Sequence, residues 1–300
     1  MKKSRIKNEF PLHLMMLPGL ILLLIFSYLP MADIVIAFQK FIPAKGLFGA
    51  QEWIGLENFR YVMQMPNFFG VIRNTITIAL GKIVLGLIIP IVYAILINEV
   101  RNSTLKKGIQ TAIYLPHFLS WVVLGGIFID LLSPSGGIVN NLLTKLGIEP
   151  IFFLGDNKWF QPTMILTETW KEFGYGTIVY LAAITGIDPS LYEAARIDGA
   201  NWFKQTLHVT LPGMKTVIVL LMVLNLGNIL NAGFDQIFNL YSPPVYETGD
   251  IIDTFVYRIG LLDAQYGVAT AVGLFKSLVS FIFISVSYFF AYRFADYRIF

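Results

Sequence analysis

The chain has 300 residues, of which 56% are hydrophobic and only 14% charged, and its mean hydropathy is +0.66. A soluble domain carries about a quarter charged residues, so this composition predicts a protein whose solvent is largely lipid. The net charge of +3 gives no support to nucleic-acid binding. The absence of cysteine excludes disulfides, thiolate metal sites and a cysteine nucleophile. Three scattered histidines do not favour a metal site either.

The N-terminal segment predicts a first membrane helix that is retained. Four basic residues within the first seven precede the segment 14–32, which contains no charge. This run is longer than the apolar core of a secretory signal, and no small-x-small cleavage site follows it.

Five further segments bring the predicted number of membrane spans to six. A helix needs about 20 mostly apolar residues to cross the hydrocarbon core, and 109–129 and 216–234 meet this without any charge. Segments 71–97, 160–187 and 266–292 reach the length only by including charged residues, and 160–187 includes the most. We therefore predict an all-α, polytopic membrane protein.

The distribution of basic residues predicts that both termini are cytoplasmic. With the N-terminus inside, twelve Lys and Arg residues, including Arg298, lie on the inner side and seven on the outer side, in agreement with the positive-inside rule. The outer loops are long and rich in aromatic residues, and we expect them to cover an external mouth or to receive a partner. The predicted organisation is an N-terminal segment, 1–66, followed by a membrane core, 67–300.

Local rules describe the beginning of the inner loop at 188–212. Asp188 followed by Pro189 predicts a helix start, with the aspartate as cap and proline at the first helical position. Ser190 with Glu193 three residues later offers an alternative capping box. A short helix on the cytoplasmic face follows from either cap.

The same loop then turns and continues. Gly199 supplies a residue that adopts positive φ without strain, and 202–209 is predicted to be a second short helix that ends before Pro212. Ala194 and Ala195 would let another protein's surface approach closely. Two amphipathic helices resting on lipid headgroups explain the same pattern, and local physics leaves both alternatives open.

The spacing within this loop resembles the signature of binding-protein-dependent ABC importer permeases. The signature is Glu-Ala-Ala, three residues, Gly, nine residues, an aliphatic residue, one residue and Leu-Pro. The matching positions here are Glu193, Ala194, Ala195, Gly199, Val209, Leu211 and Pro212. The single departure is Val209, where isoleucine is more usual.

The resemblance extends over most of the chain. Asp198 and Ala200 flank the glycine as they do in carbohydrate-type permeases. Other stretches resemble permeases for complex oligosaccharides of Gram-positive bacteria, closest to the lipoprotein-linked permeases for plant-polysaccharide fragments. These stretches are 18–19 with 26–31, 55–59 and 114–121, whereas 252–261 and 269–274 are typical of carbohydrate-type permeases in general.

This resemblance implies a type I ABC importer permease fold in which the loop forms coupling helices that seat in a groove of a cytoplasmic ATPase. Glu193 would pair with a basic group of that groove, and Gly199 would permit the turn. The residues implied in coupling are Glu193, Ala194, Ala195, Asp198, Gly199, Ala200, Leu211 and Pro212.

The implied partners are a second, related permease subunit forming a heterodimer, two ATPase subunits and an extracellular solute-binding lipoprotein, in the plasma membrane of a bacterium. The chain has no Gly-x-x-x-x-Gly-Lys-[Ser/Thr] loop. We therefore expect it to bind no cofactor and not to be an enzyme, with ATP and Mg held by the partner ATPase.

Polar residues inside the predicted spans are candidates for the substrate pathway, since they are costly in lipid. Asn225, Asn228 and Asn231 recur at near-helical spacing in the fifth span. Carboxamides both donate and accept hydrogen bonds, as sugar hydroxyls require. The alternative is that these asparagines bond neighbouring helices.

The fourth span mixes charge with aromatic side chains. Glu168, Trp170 and Tyr175 are candidates for the pathway, because aromatic rings suit the apolar faces of sugars. The alternative pairs Glu168 with Lys171 at spacing i,i+3 and places Trp170 in the headgroups.

Four more intramembrane residues have two interpretations each. His117 and Trp121, four apart in the third span, either line the pathway or pack in the interior. Lys82 and Lys276 either contact an acidic sugar or balance acids within the bundle, and balancing is the interpretation we favour.

Two other functions compete with ATP-driven import of an oligosaccharide. A secondary transporter driven by an ion gradient fits the intramembrane charges, but six spans without an evident inverted repeat do not favour it. An intramembrane enzyme lacks cysteine and clustered histidine, and its only paired carboxylates would be Glu168 and Glu172.

Overall fold

The computed structural model describes residues 2–47 and 49–295, so the predicted cytoplasmic Arg298 lies outside the described residues. Most of the described chain is helical. The α-helices are α1 Lys2–Leu23, α2 Glu57–Gln64, α3 Phe68–Glu99, α4 Ser103–Tyr114, α5 Trp121–Leu131, α6 Ile138–Lys145, α7 Asn157–Thr185, α8 Pro189–Ile197, α9 Trp202–Gln205, α10 Leu211–Gly227, α11 Phe234–Leu240, α12 Tyr246–Gly249, α13 Ile252–Tyr257 and α14 Tyr266–Ala295.

The chain forms two compact units. One consists of Met1–Pro66 and Val256–Phe275, and the other of Asn67–Phe255 and Lys276–Phe300. The first unit takes a segment from the predicted core, so the division at residue 66 stays a prediction.

The first unit contains the first span and a short ribbon. The apolar helix over Leu12–Phe38 is longer than the predicted 14–32, and it passes from α1 through π-helical Leu24–Tyr28 into 3-10 helical Leu29–Phe38. Strands β1 Gln39–Lys40 and β2 Glu52–Trp53 pair antiparallel, a small departure from the all-α prediction.

The second unit is organised around α3 and α7, which pack along one another. One apolar core lies at one end of this pair, where Phe160 and Met164 of α7 meet Ile78 of α3. A second core joins Ala94 of α3 and Tyr180 of α7 to other helices. These two buried clusters hold the helices that carry the candidate site.

The predicted number of six spans is only partly confirmed. In the described residues, four helices are long and apolar enough to cross a membrane, or five if one bent pair counts as a single span. The predicted span 160–187 corresponds to α7, which has 29 residues, but its charged residues keep it out of this set. Many large apolar side chains elsewhere are exposed, as expected where lipid or another subunit replaces water.

The third span is bent, and its prediction as one continuous helix over 109–129 was wrong. Ser103–Phe118 and Trp121–Leu131 meet at an angle of 102°. The 3-10 turn Leu115–Phe118 contains a proline, and Ser120 then caps α5 by accepting a bond from the backbone N–H of Val123 at 3.4 Å. A proline followed by a capping serine ends one helix and begins another.

The fifth span was also predicted with wrong limits. The helix runs without interruption over Trp202–Gly227, so 202–209 is not a separate helix. A π-helical segment, Thr206–Thr210, precedes Pro212, and this wider turn accommodates the proline ring. At its other end the helix stops at Gly227, and residues 228–233 are not helical.

Candidate functional site

The inner loop begins with the predicted cap. The Asp188 carboxylate accepts a hydrogen bond from the backbone N–H of Ser190 at 2.9 Å, and Pro189 is the first residue of α8. The same bond lowers the pKa of the fully exposed Asp188 carboxyl below its usual value, because it favours the ionised form. The cap is therefore charged at neutral pH.

Replacing Asp188 by alanine is expected to fray the first turn of α8, because the N–H of Ser190 loses its acceptor. The measurement is amide hydrogen exchange at Ser190, with an expected acceleration of severalfold. Asparagine at this position keeps a capping oxygen and should retain most of the protection. The pKa of the Asp188 carboxyl is lower in the folded than in the unfolded protein. The stabilisation by this cap is therefore fully present above the unfolded pKa and is lost as the pH falls through the folded pKa. Exchange in the asparagine variant should not depend on pH in this way. Equal exchange for aspartate, asparagine and alanine would contradict this role.

The turn of the loop is formed by Gly199, as predicted. The φ of Gly199 is +77°. The N–H of Gly199 donates to the carbonyl of Arg196 at 3.0 Å, and the N–H of Ala200 donates to the carbonyl of Ala195 at 2.8 Å. This pair of bonds is a Schellman motif. Asn201 then caps α9 by accepting from the N–H of Lys204 at 3.0 Å, a cap that was not predicted.

The loop exposes most of the residues assigned to coupling. Glu193, Ala194, Asp198, Gly199 and Pro212 are exposed, and the remaining three are partly buried, namely Ala195, Ala200 and Leu211. The loop also exposes Ile197 by 87% and Phe203 by 66%. Apolar side chains at this level of exposure are suited to a protein partner or to lipid, so both alternatives for this loop stay open.

A second feature is a cavity of about 500 Å³ between α3, α7 and α10. Five of the eight residues predicted for the substrate pathway line it, namely Glu168, Tyr175, Asn225, Asn228 and Asn231, and so do Lys82 and Glu172. The three asparagines are exposed, although only Asn225 lies within the helix. The cavity wall is therefore rich in groups that donate and accept hydrogen bonds.

A charged and aromatic cluster adjoins this cavity. The ring of His117 stacks on Tyr175 with centroids 4.2 Å apart, and its Nδ1 lies 2.7 Å from Oε2 of Glu172. Lys171 donates to the other oxygen of Glu172 at 2.7 Å and to the carbonyl of His117 at 3.1 Å. The alternative pairing of Glu168 with Lys171 was wrong, since Lys171 reaches toward the bend of the third span.

Three predicted candidates lie outside the lining of this cavity: His117, which contacts the lining residues Glu172 and Tyr175, and the two tryptophans. Trp121 is only 9% exposed and belongs to an apolar core. Trp170 packs edge-on against Phe128 at 5.6 Å. The intramembrane lysines balance acids, as we favoured: Lys276 pairs with Asp253, and Lys82 lies 3.7 Å from Glu168.

Several lining residues were not predicted, although the sequence contains a signal for them. On α7 the unpredicted Glu172, Gly176 and Val179 lie on the same face of the helix as the predicted Glu168 and Tyr175, because these positions are three or four residues apart. Reading α7 as a helix with one polar face would have selected all of them together.

The chain belongs to the family of binding-protein-dependent transport system inner membrane components, whose family model matches residues 86–298. Fold and family together define a membrane permease with the type I ABC importer fold. It is a transport subunit and not an enzyme.

Its relatives include sugar permeases. The polygalacturonan/rhamnogalacturonan transport system permease protein of Bacillus subtilis is 43% identical over 95% of this chain and 88% of the relative. A chain of a bacterial ABC transporter involved in the import of the acidic polysaccharide alginate superposes with a TM-score of 0.89 at 40% identity, covering 97% of this chain and 98% of the other. A chain of the alginate transporter in complex with an alginate pentasaccharide-bound periplasmic protein superposes with a TM-score of 0.90 at 38% identity, covering 99% of both chains.

Proposed function

We propose that this chain forms, with a second, related permease subunit, the membrane pathway of an importer for an oligosaccharide derived from an acidic or plant polysaccharide. An extracellular solute-binding lipoprotein delivers the sugar, and two cytoplasmic ATPase subunits bind ATP and Mg. The complex lies in the plasma membrane of a bacterium, with both termini of this chain in the cytoplasm. The names of the relatives support this class of substrate.

The observation that carries this proposal is the polar cavity within the membrane unit. Its wall combines three carboxamides, two carboxylates and the Tyr175 ring. Carboxamides and carboxylates bond sugar hydroxyls, and an aromatic ring offers a flat surface to the apolar face of a pyranose. His117 positions Tyr175 by stacking and Glu172 by its 2.7 Å contact. Sites of this kind lie near the midplane in transporters.

The partner ATPase would act on this chain through the loop at 188–212. Glu193 and the exposed Ile197 would contact the ATPase, while Gly199 fixes the angle between α8 and the continuous helix that begins at Trp202. That helix covers Trp202–Gly227, and Asn225 near its end lines the cavity. A displacement of the loop is therefore transmitted along one rigid helix to Asn225, because helix and loop are joined without a break.

Replacing Asn225 by leucine is expected to lower uptake about tenfold, because a good hydrogen bond to the sugar is worth about 1.5 kcal/mol. The measurement is ATP-driven uptake of labelled oligogalacturonides and alginate pentasaccharide into proteoliposomes that contain the assembled transporter.

The matched control is Leu224→Met, at the adjacent exposed position outside the lining. It should transport like the wild type, and both variants should reach wild-type levels in the membrane. Normal uptake of both sugars by the leucine variant would remove Asn225 from the pathway.

A further inference from the structure

The helix of the fifth membrane span ends at Gly227, and the non-helical segment that follows it is bonded to a partly buried lysine. Residues 228–233 separate α10 from α11. Asn228 and Asn231 of this break are exposed and line the cavity, whereas Ile229, Leu230 and Ala232 are buried. Buried backbone outside a helix needs hydrogen-bond partners for its polar groups.

Lys82 of α3 supplies that partner. Its Nζ donates to the carbonyl oxygen of Ala232 at 2.6 Å and to the side-chain oxygen of Gln236. Gln236 is fully buried, and its amide nitrogen donates to the carbonyl of Met164 at 2.8 Å and to Oγ1 of Thr167 at 2.7 Å. One ammonium group therefore ties together α3, α7, α11 and the break.

The break is shaped around this ammonium. Gly233 has a φ of +90°, and a Cβ at this position would lie 2.8 Å from Nζ of Lys82. A larger residue would have to displace the lysine and would also be strained. Glycine at position 233 therefore leaves space for the ammonium group of Lys82.

Glu168 does not explain the position of Lys82 by itself. Its Oε2 is 3.7 Å from Nζ, too far for a hydrogen bond, and this buried oxygen has no hydrogen-bond partner. The ammonium bonds the break and Gln236 at closer range than it approaches the carboxylate. Charge balance alone would have favoured direct contact with Glu168.

We infer that Lys82 is a positioning residue, which holds the break at 228–233 so that Asn228 and Asn231 present their carboxamides to the cavity. The inference rests on the proposed function only in assigning the cavity to transport. Lys82 acts through the break and need not touch the sugar.

Cysteine accessibility tests the inference directly, because the chain contains no cysteine. Single cysteines at Asn231, in the break, and at Asn225, on the intact helix, are labelled in the purified transporter with a small methanethiosulfonate reagent. Lys82→Met is expected to raise the labelling rate at position 231 about tenfold and to change the rate at position 225 less than twofold. Lys82→Gln, which keeps a donor for the Ala232 carbonyl, should give an intermediate rate.

Two controls separate positioning from other roles. Lys276→Met removes a different intramembrane lysine, paired with Asp253, and should leave both rates unchanged. Glu168→Gln combined with Lys82→Met should stay as reactive at position 231 as Lys82→Met alone. If adding Glu168→Gln restored the wild-type labelling rate at position 231, Lys82 would act only by balancing the charge of Glu168, and the inference would be overturned. An unchanged rate at position 231, or an equal rise at both cysteines, would also overturn it. Faster labelling at position 231 combined with normal uptake would support positioning and contradict the transport role of the cavity.

Discussion

Alanine in place of Gly174 is expected to destabilise the protein strongly, although it adds only one methyl group. A Cβ at Gly174 of α7 would lie 1.9 Å from the carbonyl oxygen of Ile113 and 2.5 Å from its carbonyl carbon. Both atoms belong to the backbone of α4, so the clash cannot be relieved by rotating a side chain. The two helices would have to separate, at a cost of about 3 kcal/mol.

The measurement is the apparent Tm of the purified protein in detergent, with an expected fall of about 6 °C or more. Gly126 of α5 provides the matched control, because a Cβ there has no atom within 4 Å. Alanine at this position should leave the Tm within about 2 °C of the wild type. If both alanine variants melted alike, the close approach of α7 to α4 would be wrong.

Valine in place of Gly199 is expected to abolish most ATP-driven uptake without removing the protein from the membrane. The space around this residue is open, so the effect arises from its φ of +77° alone. A β-branched residue in this conformation costs about 1–2 kcal/mol. The turn would relax, α8 would change its angle, and uptake would fall about tenfold.

Asparagine at the same position is the matched control, because it tolerates the left-handed conformation better than other non-glycine residues. We expect uptake in the order glycine, asparagine, valine, with equal amounts of each variant in the membrane. A valine variant that transports as well as the wild type would show that the angle of the turn does not matter for coupling.

The parts of this molecule that follow from local rules were predictable. Asp188 and Gly199 act within a few residues of themselves, so cap and turn were read correctly. Asn225, Asn228 and Asn231 do line one cavity, but the helical spacing that grouped them was wrong for the last two, because the helix ends at Gly227.

The parts that depend on distant neighbours were not predictable. The contacts of Lys82 with Ala232 and Gln236 join residues separated by about 150 positions. The close approach of Gly174 to Ile113 depends on how two helices pack, which no periodicity encodes. The break after Gly227 was not predicted, because hydropathy does not distinguish helical from non-helical backbone.

Uptake through this permease is expected to be powered by ATP hydrolysis in its partner subunits. The most direct measurement is oligosaccharide uptake into proteoliposomes containing the assembled transporter, with its solute-binding protein outside and ATP inside, and with ionophores that collapse every ion gradient. We predict that uptake persists with ionophores and stops when ATP is replaced by a non-hydrolysable analogue. Uptake driven by an ion gradient in the absence of ATP would contradict this mechanism.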